Sequence, residues 1–199
     1  MPRILAFDLT GDRGSIALLD ENEIDEIVLE SADGFAHVIF GEIEKLLAKH
    51  GITLRDIDVF ASASGPGSFT GVRVGLTAAK GLAEAVGAKV VAVSNLQALA
   101  SCGTSELRAV MIDARRGEIF GAVYNSSLEL VQDEVVMKEA DWRASLPPDA
   151  EIVTNSSPLA GAIAKIAAQR FTAGYAQDPA DIDANYVRRS DAELFWKDR

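Results

Sequence analysis

The sequence contains a single cysteine, Cys102, among its 199 residues. One cysteine cannot form an internal disulfide, and this composition is typical of a reducing compartment. No apolar run reaches the roughly 18–20 residues that a bilayer span requires. The apolar start at residues 4–8 closes on the carboxylate of Asp8, which predicts a first strand rather than a signal peptide. We therefore expect a cytoplasmic protein without a membrane segment.

Positive charge is also scarce. The chain has 19 Lys and Arg against 30 Asp and Glu, a formal net charge of −11. The excess is shared, since residues 1–104 contain 8 basic and 14 acidic side chains and residues 105–199 contain 11 and 16. Neither half is a basic domain that could bind nucleic acid by neutralising phosphates. Contact with nucleic acid would have to come through a basic partner.

Histidine, a common metal ligand, occurs only at His37 and His50. The two lie thirteen positions apart at the ends of a predicted helix, so they cannot form the i, i+4 pair of a helical metal site. We interpret both as helix-end residues and expect no metal site.

The first half of the chain combines strand and helix periodicity. Three strands are predicted at residues 3–8, 14–19 and 24–30, separated by polar or glycine-containing turns. A helix follows at residues 37–50, and Gly51 ends it. The remaining elements are a strand at 59–63, a glycine-rich loop at 65–71, a helix to about 86, a strand at 89–93 and a short helix at 95–102 capped by Ser94.

The second half opens as the first does. The residues FD (7–8) precede RGSI (13–16), and ID (112–113) precede RGEI (116–119) about 105 residues later. Strands at 108–113, 118–124, 130–137 and 151–154 and helices at 139–146 and 159–169 repeat the opening order of the first half less completely, and a last helix is predicted at 191–198. This order predicts a duplicated α/β protein with an N-terminal lobe at 1–104 and a smaller C-terminal lobe at 105–189. A tail helix at about 190–199, with Leu194, Phe195 and Trp196 as its apolar anchor, is expected to pack back on the first lobe.

The glycine-rich loop GPGSFTG at residues 65–71 resembles two phosphate-binding motifs but matches neither. A Walker A loop needs Lys after its last glycine, where Val72 stands, and Thr70 occupies the third glycine of a G-x-G-x-x-G motif. The loop still leads into a helix start whose free N–H groups could bind an anion. Two interpretations remain open: an anion site at Ser68, Thr70 and Gly71, or simple helix capping by Ser68 or Thr70.

The helix after this loop is rich in small residues. Gly75 and Gly81 each cost about 1 kcal/mol of helix stability relative to Ala. Small side chains let another backbone approach closely, so a neighbour is expected to pack there. That neighbour is either the sheet of this chain or a second protein, and opposite faces of one helix could serve both.

Two motifs identify a family resemblance. GPGSFTGVRVG (residues 65–75) followed by KGLA (80–83), and DARRGEIF (113–120), resemble the hallmark segments of the TsaB (YeaZ) family. ILAFD (4–8) and NYVR (185–188) also fit that family, so the resemblance extends over essentially the whole chain. It implies a duplicated actin-like, sugar-kinase-like (ribonuclease-H-like) two-lobed fold. It also implies a role in tRNA N6-threonylcarbamoyladenosine synthesis beside a catalytic paralogue, TsaD, and an ATPase, TsaE.

The resemblance further implies that the chain is a scaffold with no catalytic residue of its own. TsaD carries its metal on an H-x-x-x-H motif, and here Asn95 and Leu99 stand in the places of the two histidines. A homodimer is expected without the partner, tRNA contact only through the complex, and no cofactor in the isolated chain, although a nucleotide could bind at the joint with the partner. The partner interface is predicted on the two long helices of the first half, at Phe40, Ile43, Leu47, Val72, Arg73, Leu76 and Ala79.

Two departures from the family pattern and two alternative functions accompany this interpretation. The first loop reads Asp8-Leu9-Thr10-Gly11 where the family usually has Asp-Thr-Ser, and the second lobe is shorter than in typical members. A minimal sugar-kinase-like phosphotransferase could use the strand-end carboxylates of Asp8 and Asp113 near a nucleotide's metal. A protease is disfavoured because the histidine pair is missing and Ser68 has no histidine placed to activate it.

Overall fold

A computed structural model describes residues 1–154 and 158–187 of the chain. The first of its two sheets has five strands in the order β3-β2-β1-β4-β5. In chain order these are β1 (Ile4–Asp8), β2 (Gly14–Asp20), β3 (Glu23–Leu29), β4 (Val59–Ala63) and β5 (Lys89–Val93). Both faces of β1 are buried, since Leu5 and Phe7 pack into one apolar cluster and Ile4 and Ala6 into another. A strand buried on both faces is the expected centre of a sheet covered by helices.

The second sheet repeats the first. Its strands are β6 (Leu107–Arg115), β7 (Glu118–Asn125), β8 (Leu130–Lys138) and β9 (Glu151–Val153), in the order β8-β7-β6-β9. In each sheet the first strand pairs antiparallel with the second and parallel with the fourth, and the second pairs antiparallel with the third. The duplicated α/β fold predicted from the sequence is therefore confirmed.

The helices of the two halves are exchanged between the sheets. They are α1 (Ile39–Lys49), α2 (Phe69–Val86), α3 (Asn95–Ala100), α4 (Glu139–Ser145) and α5 (Ala160–Thr172). The first sheet carries α1 and α2 on one face and α5, from the second half, on the other, whereas α3 contacts β6 and β7. The strands of the first sheet lie between residues 4 and 93 and those of the second between residues 107 and 153. The division into lobes at 1–104 and 105–189 stays a prediction. One apolar cluster includes residues of both halves, so the lobes share a core.

Specific residues end α2 and begin α3, and an irregular segment follows α5. The Ser94 hydroxyl accepts hydrogen bonds from the backbone N–H groups of Leu96 and Gln97, so Ser94 caps α3 as predicted. Gly87 ends α2 in the left-handed conformation, with φ of 74°. Beyond α5, residues 175–187 form an irregular segment with a turn at 179–181, in which Gln177 pairs with Val90 at the edge of the first sheet. The predicted tail helix lies outside the described residues.

Across residues 1–154 and 158–187, no helix combines the length and apolar character that a membrane crossing needs.

Candidate functional site

The glycine-rich loop rests directly on the β1–β2 turn. A Cβ added to Gly71 would lie 1.9 Å from the carbonyl oxygen of Leu9, and one added to Gly67 would lie 2.7 Å from the Cβ of Thr10. The backbone N–H of Ser68 donates to the carbonyl oxygen of Thr10 at 2.8 Å. These glycines are therefore required by contacts inside the chain, where the two backbones touch.

The start of α2 is capped by the chain itself. The Ser68 hydroxyl accepts a hydrogen bond from the Gly71 N–H at 3.3 Å, and Thr70 lies exposed in the first turn. The capping interpretation of Ser68 therefore describes the observed contact. An anion site at Ser68, Thr70 and Gly71 stays a prediction, and at Gly71 an incoming anion would compete with the Ser68 cap.

Asp8 lies at the end of β1 and is only 5% exposed. Its Oδ1 accepts hydrogen bonds from the N–H of Thr10 at 3.1 Å and the Thr10 hydroxyl at 2.7 Å. Its Oδ2 accepts one at 3.1 Å from the N–H of Leu159, which precedes α5 in the second half of the chain. The carboxylate thus joins the two halves and places a negative charge at the start of α5, where the helix dipole favours it.

Asn95 begins α3 and Leu99 lies one turn later, near its end, and both are buried. The Asn95 side-chain amide donates to the Thr10 hydroxyl at 2.7 Å and accepts from the N–H of Gly65 at 2.9 Å. The side chain therefore fastens the glycine-rich loop to the β1–β2 turn. Within residues 1–154 and 158–187, no three His, Cys, Asp or Glu side chains are grouped to hold a metal ion.

The second strand-end carboxylate, Asp113, differs from Asp8 in its surroundings. Both line a cleft of about 450 Å³ between the halves, but the Asp113 side chain is largely exposed. Asp113 accepts a hydrogen bond from the N–H of Arg115 at 2.8 Å and pairs with the Arg115 guanidinium at 3.6 Å. The structure thus brings the two predicted carboxylates to one cleft, where both oxygens of Asp8 already accept hydrogen bonds from donors of this chain.

The predicted helical interface requires a correction. Ile43, Leu47, Val72, Leu76 and Ala79 all face the first sheet and are buried in the core of this chain. The most apolar stripe of each helix covers its own sheet, as amphipathic helices do. Of the seven predicted residues, Phe40 and Arg73 are the two that point outward.

The outward face of α1 and α2, which we call the helical face, carries two large apolar groups, of which the sequence analysis predicted Phe40 and missed Phe69. Phe40 is 56% exposed and Phe69 is 57% exposed. Phe40 stands between two apolar pockets of about 310 and 420 Å³. The Arg73 guanidinium lies 3.7 Å from the centre of the Phe69 ring and donates a hydrogen bond to the Tyr186 hydroxyl at 3.2 Å. An aromatic residue outside the buried stripe was the available signal for this surface.

A further pocket, of about 380 Å³, lies between the glycine-rich loop, the β6–β7 turn and residues 184–187. Arg115 and Arg116 line it from a turn in which both have positive φ, 66° and 58°. Positive φ is costly for side chains other than glycine and is often found at functional positions. This interlobe pocket therefore has two arginines in its lining and adjoins the helical face at Phe69.

Comparison with known proteins identifies the family of this chain. Residues 29–170 match the model of the family described as TsaD: tRNA N6-adenosine threonylcarbamoyltransferase. The chain belongs to this family. The curated relatives and solved neighbours to which it is similar include TsaB and YeaZ proteins, as the sequence motifs predicted.

Two curated relatives and one solved structure illustrate the similarity. The tRNA threonylcarbamoyladenosine biosynthesis protein TsaB of Bacillus subtilis is 34% identical over 145 residues, which cover 70% of this chain and 63% of the relative. The protein of the same name from Haemophilus influenzae is 36% identical over 121 residues, 59% of this chain and 51% of the relative. A crystal structure from Pseudomonas aeruginosa, described as an uncharacterized protein with similarity to peptidase YEAZ, aligns with a TM-score of 0.83 at 25% identity. That alignment covers 94% of this chain and all of the other.

The chain thus spans between half and two thirds of the length of these two TsaB relatives. In this chain, Asp8 and Asn95 make contacts within the fold, and the largest exposed apolar groups near the glycine-rich loop lie on the helical face. The chemistry-bearing positions and the surface available to a partner are therefore different parts of the molecule.

Replacing Asp8 separates a structural from a catalytic role. Asp8→Asn should lower the free energy of unfolding by about 2–3 kcal/mol, because an amide N–H₂ group would face backbone donors that now share a buried carboxylate. Urea unfolding measures this loss, and ATP turnover by the isolated chain should be absent both before and after the change. Turnover in the unsubstituted chain that Asp8→Asn abolishes would instead revive the phosphotransferase interpretation.

Proposed function

We propose that the chain is a non-catalytic subunit of the cytoplasmic machinery that makes tRNA N6-threonylcarbamoyladenosine, and that it binds and supports a TsaD-like catalytic paralogue. The observation that carries this proposal is the helical face, which leaves apolar groups exposed although both helices already have a full buried stripe. Family membership supports the choice of pathway, and the exposed apolar groups of the helical face support a role in binding a partner. The same face would pair two copies of the chain when the partner is absent.

Phe40 has the properties of an interface anchor. It is a large apolar side chain beside two apolar pockets, an arrangement that lets a partner insert side chains on either side of the ring. Aromatic and arginine residues contribute disproportionately to protein–protein binding when a partner removes them from water. Arg73, held over Phe69, would add a polar contact at the edge of the same surface.

Two helical glycines support close approach by another backbone. A Cβ added to Gly41 of α1 or Gly81 of α2 would meet nothing within 4 Å, whereas one added to Gly75 would lie 2.7 Å from the Ser62 hydroxyl. The chain's own packing therefore requires Gly75 but neither Gly41 nor Gly81. A glycine that weakens a helix without serving its own fold is consistent with a neighbour that packs against it.

Gly81→Ala should therefore change stability and binding in opposite directions. The isolated chain should gain about 0.5–1 kcal/mol in free energy of unfolding, because Ala is the better helix former. Affinity for the TsaD-like paralogue should fall about fivefold or more, because the new methyl group would hold the two backbones apart. Urea unfolding and isothermal titration calorimetry measure the two effects.

Lys165→Ala provides the control for this experiment. Lys165 is exposed on α5, across the sheet from α1 and α2, so its removal should leave the affinity unchanged. Equal affinity of Gly81→Ala and the unsubstituted chain would contradict the assignment of this part of the helical face to the interface.

The remaining roles in this proposal follow from the same assembly. A TsaE-like ATPase is the third component, and tRNA would be bound through the complex, since the chain has a net charge of −11. A nucleotide at the joint with the partner would find its phosphate ligands on this chain at Arg115 and Arg116, which line the interlobe pocket beside the helical face. The chain itself would bring binding groups to that joint and no catalytic group.

A further inference from the structure

The last described segment of the chain, residues 182–187, lies across the glycine-rich loop, and we call it the strap. Ile182 at its start is buried in the core under α1 and α2. The N–H of Asn185 donates to the carbonyl oxygen of Ser64 at 2.7 Å. The carbonyl oxygen of Asn185 lies 3.1 Å from the position that a Cβ of Gly65 would occupy, and Gly65 has φ of 102°. The loop therefore needs its first glycine partly because the strap passes so close.

A single carboxylate of the second half holds the strap from the side. Glu134, on β8, accepts a hydrogen bond at Oε2 from the Asn185 side-chain amide at 2.5 Å. Its Oε1 accepts one from the Tyr124 hydroxyl at 2.6 Å and another from the hydroxyl of Ser94, the cap of α3. Burial raises the pKa of Tyr124, and the neighbouring Glu134 raises it further, so the tyrosine remains a donor. Glu134 thereby joins β7, α3 and the strap.

The strap in turn reaches the helical face. Tyr186, the residue after Asn185, accepts the hydrogen bond of the Arg73 guanidinium, which lies over the Phe69 ring. Displacement of Asn185 would carry Tyr186 away from Arg73, because the two residues are joined by one peptide bond. A long exposed arginine that loses its brace also gains rotamer freedom, which any partner would have to restrict again on binding.

We propose that Glu134 is a positioning residue that seats the strap on the glycine-rich loop through Asn185 and so holds Arg73 in place on the helical face. The second half of the chain thus influences a surface made by the first half. The effect on the partner rests on the proposed function, whereas the seating of the strap is a property of the isolated chain.

Hydrogen–deuterium exchange of the full-length chain tests the seating. Glu134→Ala and Asn185→Ala should each speed exchange at residues 182–187 about tenfold or more, because each removes the hydrogen bond between a carboxylate and the strap. Tyr124→Phe is the matched control, since it removes a hydrogen bond from the same carboxylate at a site away from the strap. Exchange at 182–187 in Tyr124→Phe should match that of the unsubstituted chain. Should Glu134→Ala fail to fold, the partly exposed Asn185 still carries the test.

Calorimetric titration of the TsaD-like paralogue into the same variants tests the link to the helical face. Affinity should fall about threefold to tenfold for Asn185→Ala and stay unchanged for Tyr124→Phe. Unaltered exchange at 182–187 in both alanine variants would overturn the role of Glu134. Faster exchange with unaltered affinity would overturn the coupling to Arg73. If the unsubstituted chain failed to bind the paralogue, the proposed function would be wrong, and the exchange result would still decide the seating.

Discussion

Phe40→Asp is expected to abolish measurable binding of the TsaD-like paralogue, with a loss of at least about 30-fold in affinity. The aspartate would remove the largest apolar group between the two pockets of the helical face and would place a charge where a partner excludes water. Because Phe40 is 56% exposed in the isolated chain, the free energy of unfolding should change by less than about 0.5 kcal/mol. Analytical ultracentrifugation of the mixture and urea unfolding of the isolated chain measure the two quantities.

Val131→Asp is the matched control for Phe40→Asp. Val131 lies on β8 of the second sheet and is exposed to a similar extent, so the same change of charge is made away from the helical face. Binding should survive in this variant. Loss of binding in both variants would indicate a general effect of added negative charge. Retention of binding in both would mean that the helical face does not bind the paralogue.

Gly71→Ala is expected to cause the largest loss of stability of any single methyl group added to this chain's glycine-rich loop, about 3–5 kcal/mol. The new Cβ would lie 1.9 Å from the carbonyl oxygen of Leu9, an atom of the backbone that no rotamer change can move. Relief requires α2 to shift away from β1, which would open the core beneath Val72 and Leu76. Urea unfolding monitored by circular dichroism measures the loss.

The comparison with Gly81→Ala makes this prediction specific. Both substitutions add one methyl group to the same helix, yet Gly81 has open space where Gly71 has a backbone. Gly81→Ala should stabilise the isolated chain, whereas Gly71→Ala should destabilise it. A Gly71→Ala variant within about 1 kcal/mol of the unsubstituted chain would mean that the contact between the loop and the β1–β2 turn is looser than described.

The duplication of the fold could be predicted because the same short sequence pattern begins each half of the chain. An apolar strand that ends in Asp, followed by Arg-Gly at the next strand, marks both Asp8 and Asp113, and both positions do end or lie near the end of a first strand. The exchange of α3 and α5 between the sheets could not be predicted in the same way. Helical periodicity shows which face of a helix is apolar but does not show which sheet that face covers.

Five of the seven residues predicted for the interface are buried in this chain for a related reason. Leu76 and Val72 belong to the apolar stripe of α2 that the chain uses for its own core. A substitution such as Leu76→Arg would therefore disrupt folding and would not test binding. The exposed apolar residues of the helical face are Phe40, which the sequence analysis predicted, and Phe69, which it missed. Gly81 is a helical glycine that its own fold does not need.

The role of Asp8 shows a second limit of sequence reasoning. Its place at a strand end, close to the β1–β2 turn, follows from the pattern of the first twenty residues. Its partner Leu159 lies 151 positions away in the chain, and nothing in either segment indicates that they meet. A carboxylate at a strand end is therefore equally compatible with metal chemistry and with a helix start, until the donor that reaches it is known.

Threonylcarbamoyl transfer to tRNA, measured in a reconstituted reaction with and without this chain, tests the central claim most directly. The TsaD-like paralogue and the TsaE-like ATPase should transfer the group efficiently only when the chain is added, and Phe40→Asp should fail to replace it. The chain by itself should transfer nothing. Full transfer without the chain, or transfer by the chain alone, would contradict the account.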